Sequence, residues 1–415
     1  MSRTSSPPSI AIIGAGPAGL AAAERLGQAG IQVHLHDRMP SPARKFLMAG
    51  RGGLNLTHSE PFPQFLARYG EAAQRLEPAL QAFPPSALQG WAEELGEPTF
   101  IGSSGRVFPC SFKASPLLRA WLTRLNRLGV RLHPRHDWLG WSAEGSLRFK
   151  TPEGPVKSRP DATILALGGA SWPRLGSDGH WVSLLAQRGL QVRALTPSNM
   201  GVHLDWSDVF RQKFAGAPLK RIAMSCGGEK VRGEAMVTQN GLEGGVIYAL
   251  SRKLRHAQSA GHSTILVDLR PDLDMAALTS RLAAAPRKLS FSNLMRKAAG
   301  LSPVATGLLR EAMGQSRPET TSELAHLIKA LPLPVTGLAG ISRAISSAGG
   351  IMWEDIGADY SLTALPGTFV CGEMMDWDAP TGGYLLQACF ATGRAAAKGV
   401  LDHLARNGHL PQDQD

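Results

Sequence analysis

The chain has 415 residues, of which 43% are hydrophobic and 19% charged, and its 44 lysines and arginines outnumber its 33 acidic residues to give a formal net charge of +11. This composition excludes a largely disordered chain, and at about 150 residues per domain the length predicts two or three domains. The excess positive charge favours an anionic partner, which can be nucleic acid, a phosphorylated cofactor or an acidic membrane, although scattered surface arginines would give the same total.

The start of the chain predicts neither a signal peptide nor a membrane span, because the apolar stretch from Ile10 to Ala23 is interrupted by glycines and ends in charged residues. The four cysteines show neither C-x-x-C nor zinc-ligand spacing. We therefore expect a cytoplasmic protein without a metal site or a membrane partner. His133 and His136 lie three residues apart, and without an evident third ligand they are interpreted as ordinary loop histidines.

A dinucleotide-binding motif is predicted within the first forty residues. Residues 10–13 form a short apolar run typical of a buried parallel strand, and the GAGPAG that follows fits G-x-G-x-x-G before an Ala/Leu-rich helix that reaches Gln28. A second strand, residues 31–36, ends at Asp37, close to the distance of about 20 residues expected for an acid that binds ribose. The predicted contacts in this segment are Gly14, Ala15, Gly16, Pro17, Ala18, Gly19, Asp37 and Arg38.

Each glycine of the motif has a distinct expected role. Gly14 lets the chain turn sharply after the strand, Gly16 lets a diphosphate approach the backbone, and Gly19 lets the helix pack against the strand. The amide groups and the dipole at the start of the helix then hold the diphosphate. The alternative is a glycine-rich turn without a ligand.

A glycine-rich loop after the second strand favours FAD over NAD. It occupies residues 44–57, and its glycines permit a close approach to the diphosphate and the flavin ring. Its basic residues can neutralise phosphate or a reduced flavin, and a mobile surface loop is the alternative. The predicted cofactor contacts here are Lys45, Gly52, Gly53, Leu54 and Asn55.

Two later segments also favour FAD. In residues 161–171 an apolar strand enters a turn at Gly168 and Gly169, and in residues 368–371 another short strand ends at Gly372 and Glu373. Glu373 is positioned to accept hydrogen bonds from ribityl hydroxyls. A long helix, 385–405, then begins where amide groups and the helix dipole can face the flavin edge that becomes negative on reduction. Its predicted contacts are Gly382, Gly383, Tyr384 and Leu385.

Taken together, these segments resemble the BaiN/RdsA family of FAD-dependent oxidoreductases from Ile10 to about Val400. Lys45, Gly50, Gly52, Asn55 and Thr57 match the family's G-R-K-x-x-x-S-G-G-G-R-C-N-x-T-N motif, whereas Gly53 and Leu54 replace its usual Arg and Cys. Further matches lie at 105–109, 166–169, 347–350 and 372–384. The resemblance indicates a divergent branch that lacks any role of the family cysteine.

The resemblance implies an α/β fold with a Rossmann-like FAD-binding domain built from both chain ends. We predict the FAD domain in residues 1–194 and 341–415, a strand-rich (β-barrel-like) insert in 195–268, and a small helical module in 269–340. Short alternating runs support the insert, and an Ala/Leu-rich pattern with a period near 3.6 supports the helices.

The predicted function is hydride transfer from the N5 atom of noncovalently bound FAD to an activated C=C bond of a small molecule. The resemblance implies this chemistry, on steroid enones or on uridine of ribosomal RNA, with NAD(P)H as a possible transient reductant. Alternatives are an RNA-modifying flavoenzyme, favoured by the net charge, and a non-catalytic flavin-binding module. Candidates to orient the substrate are Lys45, Arg51, Asn55, His58 and Tyr384.

Overall fold

A computed structural model describes residues 8–261, 263–314 and 316–409, apart from the side chain of Arg51. The strands are β1 (Ser9–Ile13), β2 (Gln32–Asp37), β3 (Thr57–His58), β4 (Thr99–Ile101), β5 (Arg106–Pro109), β6 (Arg131–Pro134), β7 (Asp137–Trp141), β8 (Leu147–Thr151), β9 (Gly154–Ser158), β10 (Ala162–Leu165), β11 (Val192–Ser198), β12 (Val202–His203), β13 (Pro218–Cys226), β14 (Glu229–Thr238), β15 (Gly241–Glu243), β16 (Thr264–Asp268), β17 (Leu331–Pro334), β18 (Gly337–Leu338), β19 (Ser346–Ile351) and β20 (Thr368–Val370). The helices are α1 (Pro17–Gln28), α2 (Arg44–Ala49), α3 (Phe62–Ala67), α4 (Ala73–Ala82), α5 (Pro85–Glu94), α6 (Ala114–Arg127), α7 (Trp181–Ala186), α8 (Asp208–Phe214), α9 (Gly245–Ala249), α10 (Ser251–Ser259), α11 (Met275–Ala283), α12 (Phe291–Leu294), α13 (Pro303–Met313), α14 (Thr321–Lys329) and α15 (Tyr384–Arg406).

The first of two compact units comprises Met1–Thr196 and Ser346–Asp415. Its main sheet has five parallel strands in the order β20-β10-β1-β2-β6. An edge strand from the C-terminal part, β20, thus lies beside β10 and close to the N-terminal strand β1. This arrangement confirms the predicted α/β fold with a sheet built from both chain ends.

The helices α1 and α15 pack closely because small residues line their contact. A β-carbon at Gly393 of α15 would lie 2.2 Å from the carbonyl oxygen of Ala18 in α1, so a larger residue there would force the helices apart. The apolar faces of both helices are buried, with Leu20 and Leu26 on α1 and Val400 on α15 all at 0% exposure. The C-terminal helix is therefore fixed against the predicted dinucleotide-binding helix.

A buried carboxylate joins three helices of the first unit. Glu24 of α1 is 1% exposed and accepts hydrogen bonds from the indole N–H groups of Trp91 at 2.9 Å and Trp121 at 2.7 Å. The guanidinium of Arg124 lies 3.1 Å from its other oxygen. These three donors compensate the loss of hydration of the charge, so the network fixes α5 and α6 relative to α1.

Two small antiparallel sheets complete the first unit, in the orders β3-β5-β4 and β7-β8-β9, and β11 pairs with β19. The β7-β8-β9 sheet contributes Phe149, which is 1% exposed, to the same core as the parallel sheet. The β3-β5-β4 sheet includes the end of the glycine-rich loop, because β3 begins at Thr57.

The second unit, Pro197–Ile345, contains a seven-stranded sheet in the order β17-β16-β13-β14-β15-β12-β18. Helices between β16 and β17 bury their apolar faces in the same core as these strands, with Ile265, Leu278, Leu308 and Ile328 all at 0% exposure. The strand-rich and helix-rich segments of this unit therefore share one core. Among the described residues, no helix combines the length and the apolar character that a membrane span requires.

Candidate cofactor and active site

A cavity lies at the carboxyl ends of β1, β2, β10 and β20, the edge at which ligands bind in open parallel sheets. It continues past the start of α1 to the loops after β6 and β10. The predicted contacts that line it are Gly14, Gly16, Pro17, Ala18, Asp37, Arg38, Lys45, Gly168, Gly372 and Glu373. Sequence positions that are more than 350 residues apart thus meet at one site.

The three motif glycines have different surroundings. Gly14 has a φ of +104°, and a β-carbon there would lie 2.2 Å from the carbonyl oxygen of Ala166. A β-carbon at Gly19 would lie 1.9 Å from the carbonyl oxygen of Gly14, whereas one at Gly16 would meet nothing within 4 Å. Gly14 and Gly19 therefore permit close packing, and Gly16 leaves open space in the cavity wall for a ligand.

Asp37 ends β2, and its carboxylate already accepts two backbone hydrogen bonds. Oδ2 accepts from the Ala15 amide and Oδ1 from the Met39 amide, both at 2.8 Å. Burial raises the pKa of Asp37, although the two amides act in the opposite direction. Since a carboxylate has about four acceptor positions, Asp37 fixes the turn at Ala15 and retains capacity for a ribose hydroxyl.

Lys45 and Glu373 form a half-buried ion pair inside the cavity. The Lys45 ammonium donates to Glu373 Oε2 and to Ser171 Oγ, both at 2.9 Å. Glu373 also accepts the Ser347 amide at 2.8 Å and the Gly169 amide at 3.2 Å. The carboxylate predicted to accept from a ribityl chain is thus largely used by the protein, and its contacts join four separate segments. Lys45 retains one N–H for a ligand.

The glycine-rich loop meets the start of α15 at a second cluster, which we call the loop–helix junction (residues 52–60 and 382–385). With the Asn55 amide oriented to satisfy both neighbours, its oxygen accepts the Gly383 amide and its nitrogen donates to the Thr57 carbonyl, each at 3.0 Å. A β-carbon at Gly383 would lie 2.5 Å from Thr57 Cα. One amide predicted to face the flavin is therefore bound by Asn55.

Tyr384, the first residue of α15, is 4% exposed. Its hydroxyl donates to Glu60 Oε1 at 2.6 Å, and Arg68 pairs with the other oxygen of Glu60 at 2.7 Å. Burial and then this hydrogen bond raise the pKa of Tyr384 well above its usual value. Burial would raise the pKa of Glu60, but Arg68 and Tyr384 outweigh it and hold that pKa below its usual value. Tyr384 therefore remains a neutral phenol.

Other predicted residues have structural contacts instead of open ones. Leu54 is 0% exposed, so its backbone is the part that can face a ligand. Both ring nitrogens of His58 have partners, the Ser104 carbonyl at 3.0 Å and the Glu60 amide at 3.1 Å. His58 thus links the loop after β3 to the turn between β4 and β5, and it offers a substrate no free ring nitrogen within the described structure.

The interpretation of His133 and His136 as loop histidines was wrong for His133, whereas His136 lies in the loop between β6 and β7. His133 lies on β6 opposite His36 of β2, and with His34 they form a four-histidine cluster (His34, His36, His133 and His136). The Nδ1 atoms of His36 and His136 are 3.1 Å apart, and His34 Nδ1 is 3.0 Å from His133 Nε2. No group of three or more residues among those described is arranged to hold a metal ion.

Burial of the cluster disfavours protonation. His36 is 5% exposed, and its ring stacks on Phe149 and His133 with centroids 4.3 and 4.7 Å apart. Burial, and then the neighbouring imidazoles, lower the pKa of His36 to about 3. The alternation of side chains along a strand places His34 and His36 on one face, but the register of β6 beside β2 is a tertiary feature that the sequence does not show.

The cavity contains buried polar atoms that protein groups leave without partners. His36 Nε2 and Ser177 Oγ both belong to lining residues, and within the described structure neither has a hydrogen-bond partner. Buried polar groups are normally bonded, so these two atoms are suited to polar atoms of a ligand. Together with the open space at Gly16 and the third N–H of Lys45, they fit a dinucleotide such as FAD.

Comparison with known proteins supports this assignment. Residues 8–399 match the protein family described as HI0933-like protein Rossmann domain. The chain is 24% identical over 415 residues to a 3-dehydro-bile acid delta(4,6)-reductase of Clostridium scindens, covering 95% of this chain and 99% of the relative. It is 23% identical over 405 residues to a ribosomal RNA dihydrouridine synthase of Escherichia coli, covering 94% and 97%.

The fold is shared with solved structures. A 3-ketosteroid delta1-dehydrogenase of Sterolibacterium denitrificans is 11% identical and has a TM-score of 0.54, with 95% of this chain and 100% of that chain covered. At this identity the likeness concerns the fold alone.

Proposed function

The chain belongs to the HI0933-like family of FAD-dependent oxidoreductases, and from that premise we propose that it reduces an activated C=C bond of a small-molecule substrate. The observation that carries the proposal is the cavity at the carboxyl edge of the parallel sheet, where the glycine turn, Asp37 and the Lys45–Glu373 pair converge. The two curated relatives are named as a reductase of a bile acid and a synthase of dihydrouridine. Both names describe addition of hydrogen to a C=C bond.

FAD, when bound, supplies the hydride and accepts electrons from a reductant such as NAD(P)H. The chain's own residues bind and orient. The first amides of α1 have no partner within the helix, and the wall beside them is open at Gly16, so they are placed to hold the diphosphate. Lys45 adds a positive charge that the buried Glu373 keeps in one position.

At the loop–helix junction, the backbone amides that open α15 are the groups suited to polarising a substrate carbonyl. The start of α15 carries the positive end of a helix of 23 residues. The only O–H of Tyr384 donates to Glu60, and Asn55 accepts the Gly383 amide, so these two side chains fix the turn and do not themselves donate to a substrate. We propose that the remaining amides of this turn stabilise the negative charge that develops as the C=C bond is reduced.

Anaerobic reduction of the purified holoprotein tests the proposal. In one sample, the bound cofactor is released by denaturation and identified by chromatography. In a second, intact sample, NADH or NADPH is added without oxygen, and loss of the visible flavin absorption is followed. Reoxidation by an added enone such as 2-cyclohexenone is the expected result. A flavin that NAD(P)H and dithionite reduce but that no enone reoxidises would refute C=C reduction, and a flavin that resists all reductants would favour the non-catalytic module.

A second candidate, an RNA-modifying flavoenzyme, is favoured by the distribution of charge. Residues 197–345 contain 19 lysines and arginines against 11 acidic residues, a net charge of +8, whereas the other 266 residues carry +3. Most of the excess thus belongs to the second unit. This candidate predicts RNA binding by the full chain that weakens steeply with salt. Charge reversal at Arg287 and Lys288 should lower that affinity, and absence of RNA binding at moderate salt would exclude this function.

A further inference from the structure

The second unit contains a cavity of its own, which we call the second-unit cavity and which lies between α8, residues 292–296 and α13. Its volume is about 290 Å³, near the lower end of the roughly 300–1,000 Å³ found for ligand pockets. All of the lining residues fall within 209–311, so the cavity is formed entirely by this unit. The hydride transfer proposed above uses none of these residues.

Three cationic side chains line the second-unit cavity, namely Lys213 of α8, Arg296 and Arg310 of α13. Arg310 donates to Ser292 Oγ at 2.9 Å, and Arg296 donates to the side-chain oxygen of Asn293 at 3.3 Å. Within the described structure, none of the three cations forms an ion pair with a carboxylate. Their charges are therefore not neutralised by the protein and are available to an anion in the cavity.

Glu311 is the one acidic residue among the described residues that line this cavity, and its carboxylate is used elsewhere. One oxygen accepts the backbone amide of Ser207, and the other accepts the Ser207 hydroxyl at 2.8 Å. Glu311 thus fixes the start of α8. With three cations and one acid, the wall carries a net charge of +2. A phosphate monoester carries about −1.5 to −2 at pH 7, so its charge complements that of the wall.

The same cavity has an apolar wall beside the charges. Phe214 of α8 lies against Gly307 of α13, where a β-carbon would come within 2.3 Å of Cε2 of the ring. Glycine weakens the interior of a helix relative to alanine, and here it allows the ring to lie directly against α13. Leu301 and Pro303 add further apolar surface. Because the Lys213 ammonium lies 5.5 Å from the centroid of Phe214, the charged and apolar parts of the wall adjoin each other.

Two further features of the wall favour a ligand. Thr306 lines the cavity and is 6% exposed, and its hydroxyl has no hydrogen-bond partner among the described residues, although buried polar groups are normally bonded. Arg296 lies in a single π-helical turn, Met295–Ala299, a rare conformation that occurs frequently at functional sites. The Arg270 guanidinium donates to the Ala299 carbonyl and so holds the end of this turn.

We propose that the second-unit cavity binds a small phosphate monoester with a compact apolar body. Lys213, Arg296 and Arg310 attract the phosphate, for which a guanidinium supplies well-oriented paired donors. The Thr306 hydroxyl donates to one of its oxygens, and the apolar body covers Phe214 and Leu301. The chain thus has a second small-molecule site whose walls share no residue with the cofactor cavity. This site stands whether or not the flavin reduces a C=C bond.

The test is a calorimetric titration of the full-length protein at low ionic strength, saturated with FAD so that the diphosphate site is filled. The probe is phenyl phosphate. Three comparison compounds each lack one of its features: inorganic phosphate has no ring, benzoate has one negative charge, and benzyl alcohol has none. The variants are Lys213→Gln, Arg296→Gln and Gly307→Ala. The control is Lys220→Gln, which changes an exposed lysine of β13 outside the cavity wall.

Phenyl phosphate is expected to bind with a dissociation constant of about 1 mM or lower, and each comparison compound more weakly. Lys213→Gln and Arg296→Gln should each raise that constant about fivefold, whereas Lys220→Gln should leave it within about twofold. Alanine suits a helix interior, so Gly307→Ala should fold while displacing the Phe214 ring. This variant should therefore lose most of the preference for phenyl phosphate over inorganic phosphate.

Absence of phenyl phosphate binding up to about 10 mM would overturn the inference, as would equal constants for the parent, Lys213→Gln and Arg296→Gln. Benzoate binding as tightly as phenyl phosphate would refute the assignment to a phosphate. Displacement of phenyl phosphate by an oligouridine without a terminal phosphate would refute the assignment to a monoester and place phosphodiesters in the cavity instead. Since none of these titrations involves electron transfer, their outcome is independent of whether an enone reoxidises the flavin.

Discussion

Replacing His36 with phenylalanine is expected to make the first unit less sensitive to acid. Burial, and then the neighbouring imidazoles, lower the pKa of His36 from 6.5 to about 3. Between these two values the unfolded chain binds a proton at this position and the folded chain does not. The free energy of unfolding therefore falls as the pH falls through this window. Well above pH 6.5, His36 is neutral in both the folded and the unfolded chain and causes no such loss.

The size of the effect follows from the same two pKa values. At pH 5 the unfolded imidazole is mostly protonated and the folded one is neutral, so the linkage lowers the free energy of unfolding by about 2 kcal/mol relative to neutral pH. His34, His133 and His136 also have lowered pKa values and add a smaller loss. Phenylalanine retains the stacking on Phe149 and removes the titrating group with the largest shift.

Urea unfolding at pH 7.5 and pH 5, followed by tryptophan fluorescence, measures the effect. Eight of the nine tryptophans lie in the first unit, so the signal reports mainly on that unit. His326→Phe, at an exposed position of the second unit, is the control. The parent chain should lose about 2 kcal/mol more than His36→Phe between the two pH values. An equal loss in both proteins would refute the account of the histidine cluster.

Three further predictions concern other parts of the first unit. Gly16→Glu is expected to give a folded protein without flavin, because a carboxylate would occupy the place of the diphosphate. The control Gly90→Glu, which also faces open space, should retain the yellow colour. A fully yellow Gly16→Glu protein would show that the diphosphate lies elsewhere. Glu24→Gln should lower the free energy of unfolding by about 2–4 kcal/mol, since an amide cannot both accept the two indole N–H groups and pair with Arg124. The control Glu94→Gln changes an exposed partner of the same arginine and should lower it by less than about 0.5 kcal/mol. Chemical denaturation compares the two variants. Lys45→Met should leave Glu373 buried without its cation and increase flavin release on dilution, and flavin retention equal to the parent's would contradict a binding role for this pair.

The local elements of the cofactor domain were predictable because their signals are contained in short segments. The strand before Gly14, the helix after it and the second strand ending in an acid are each indicated by periodicity and punctuation within forty residues. The structure has them as β1, α1 and β2. β1 begins one residue earlier than predicted, β2 begins and ends one residue later, and α1 ends at Gln28 as predicted. The last helix was predicted over 385–405 from the two glycines before it, and it spans Tyr384–Arg406.

The contacts that give these elements their chemistry depend on long-range packing and were not predictable. Glu373 pairs with Lys45, 328 residues earlier in the chain, and this pairing changes the carboxylate from an open acceptor into part of a network. The histidine cluster requires the register of β6 against β2. The pairing of β5 with β3 at the end of the glycine-rich loop joins segments about 50 residues apart. None of these relations follows from the pattern of a single segment.

The close packing of α15 on α1 has a consequence for biosynthesis. The wall of the cavity includes Cys371, Gly372 and Cys389, and the α1–α15 contact involves Gly393, so the site is complete only after the chain up to α15 has left the ribosome. The second unit, whose core is formed by residues 197–345, emerges before β20 and α15 are synthesised. The cofactor site can therefore form only after β20 and α15 have been synthesised, and until then β10 has an open edge on the side that β20 later covers.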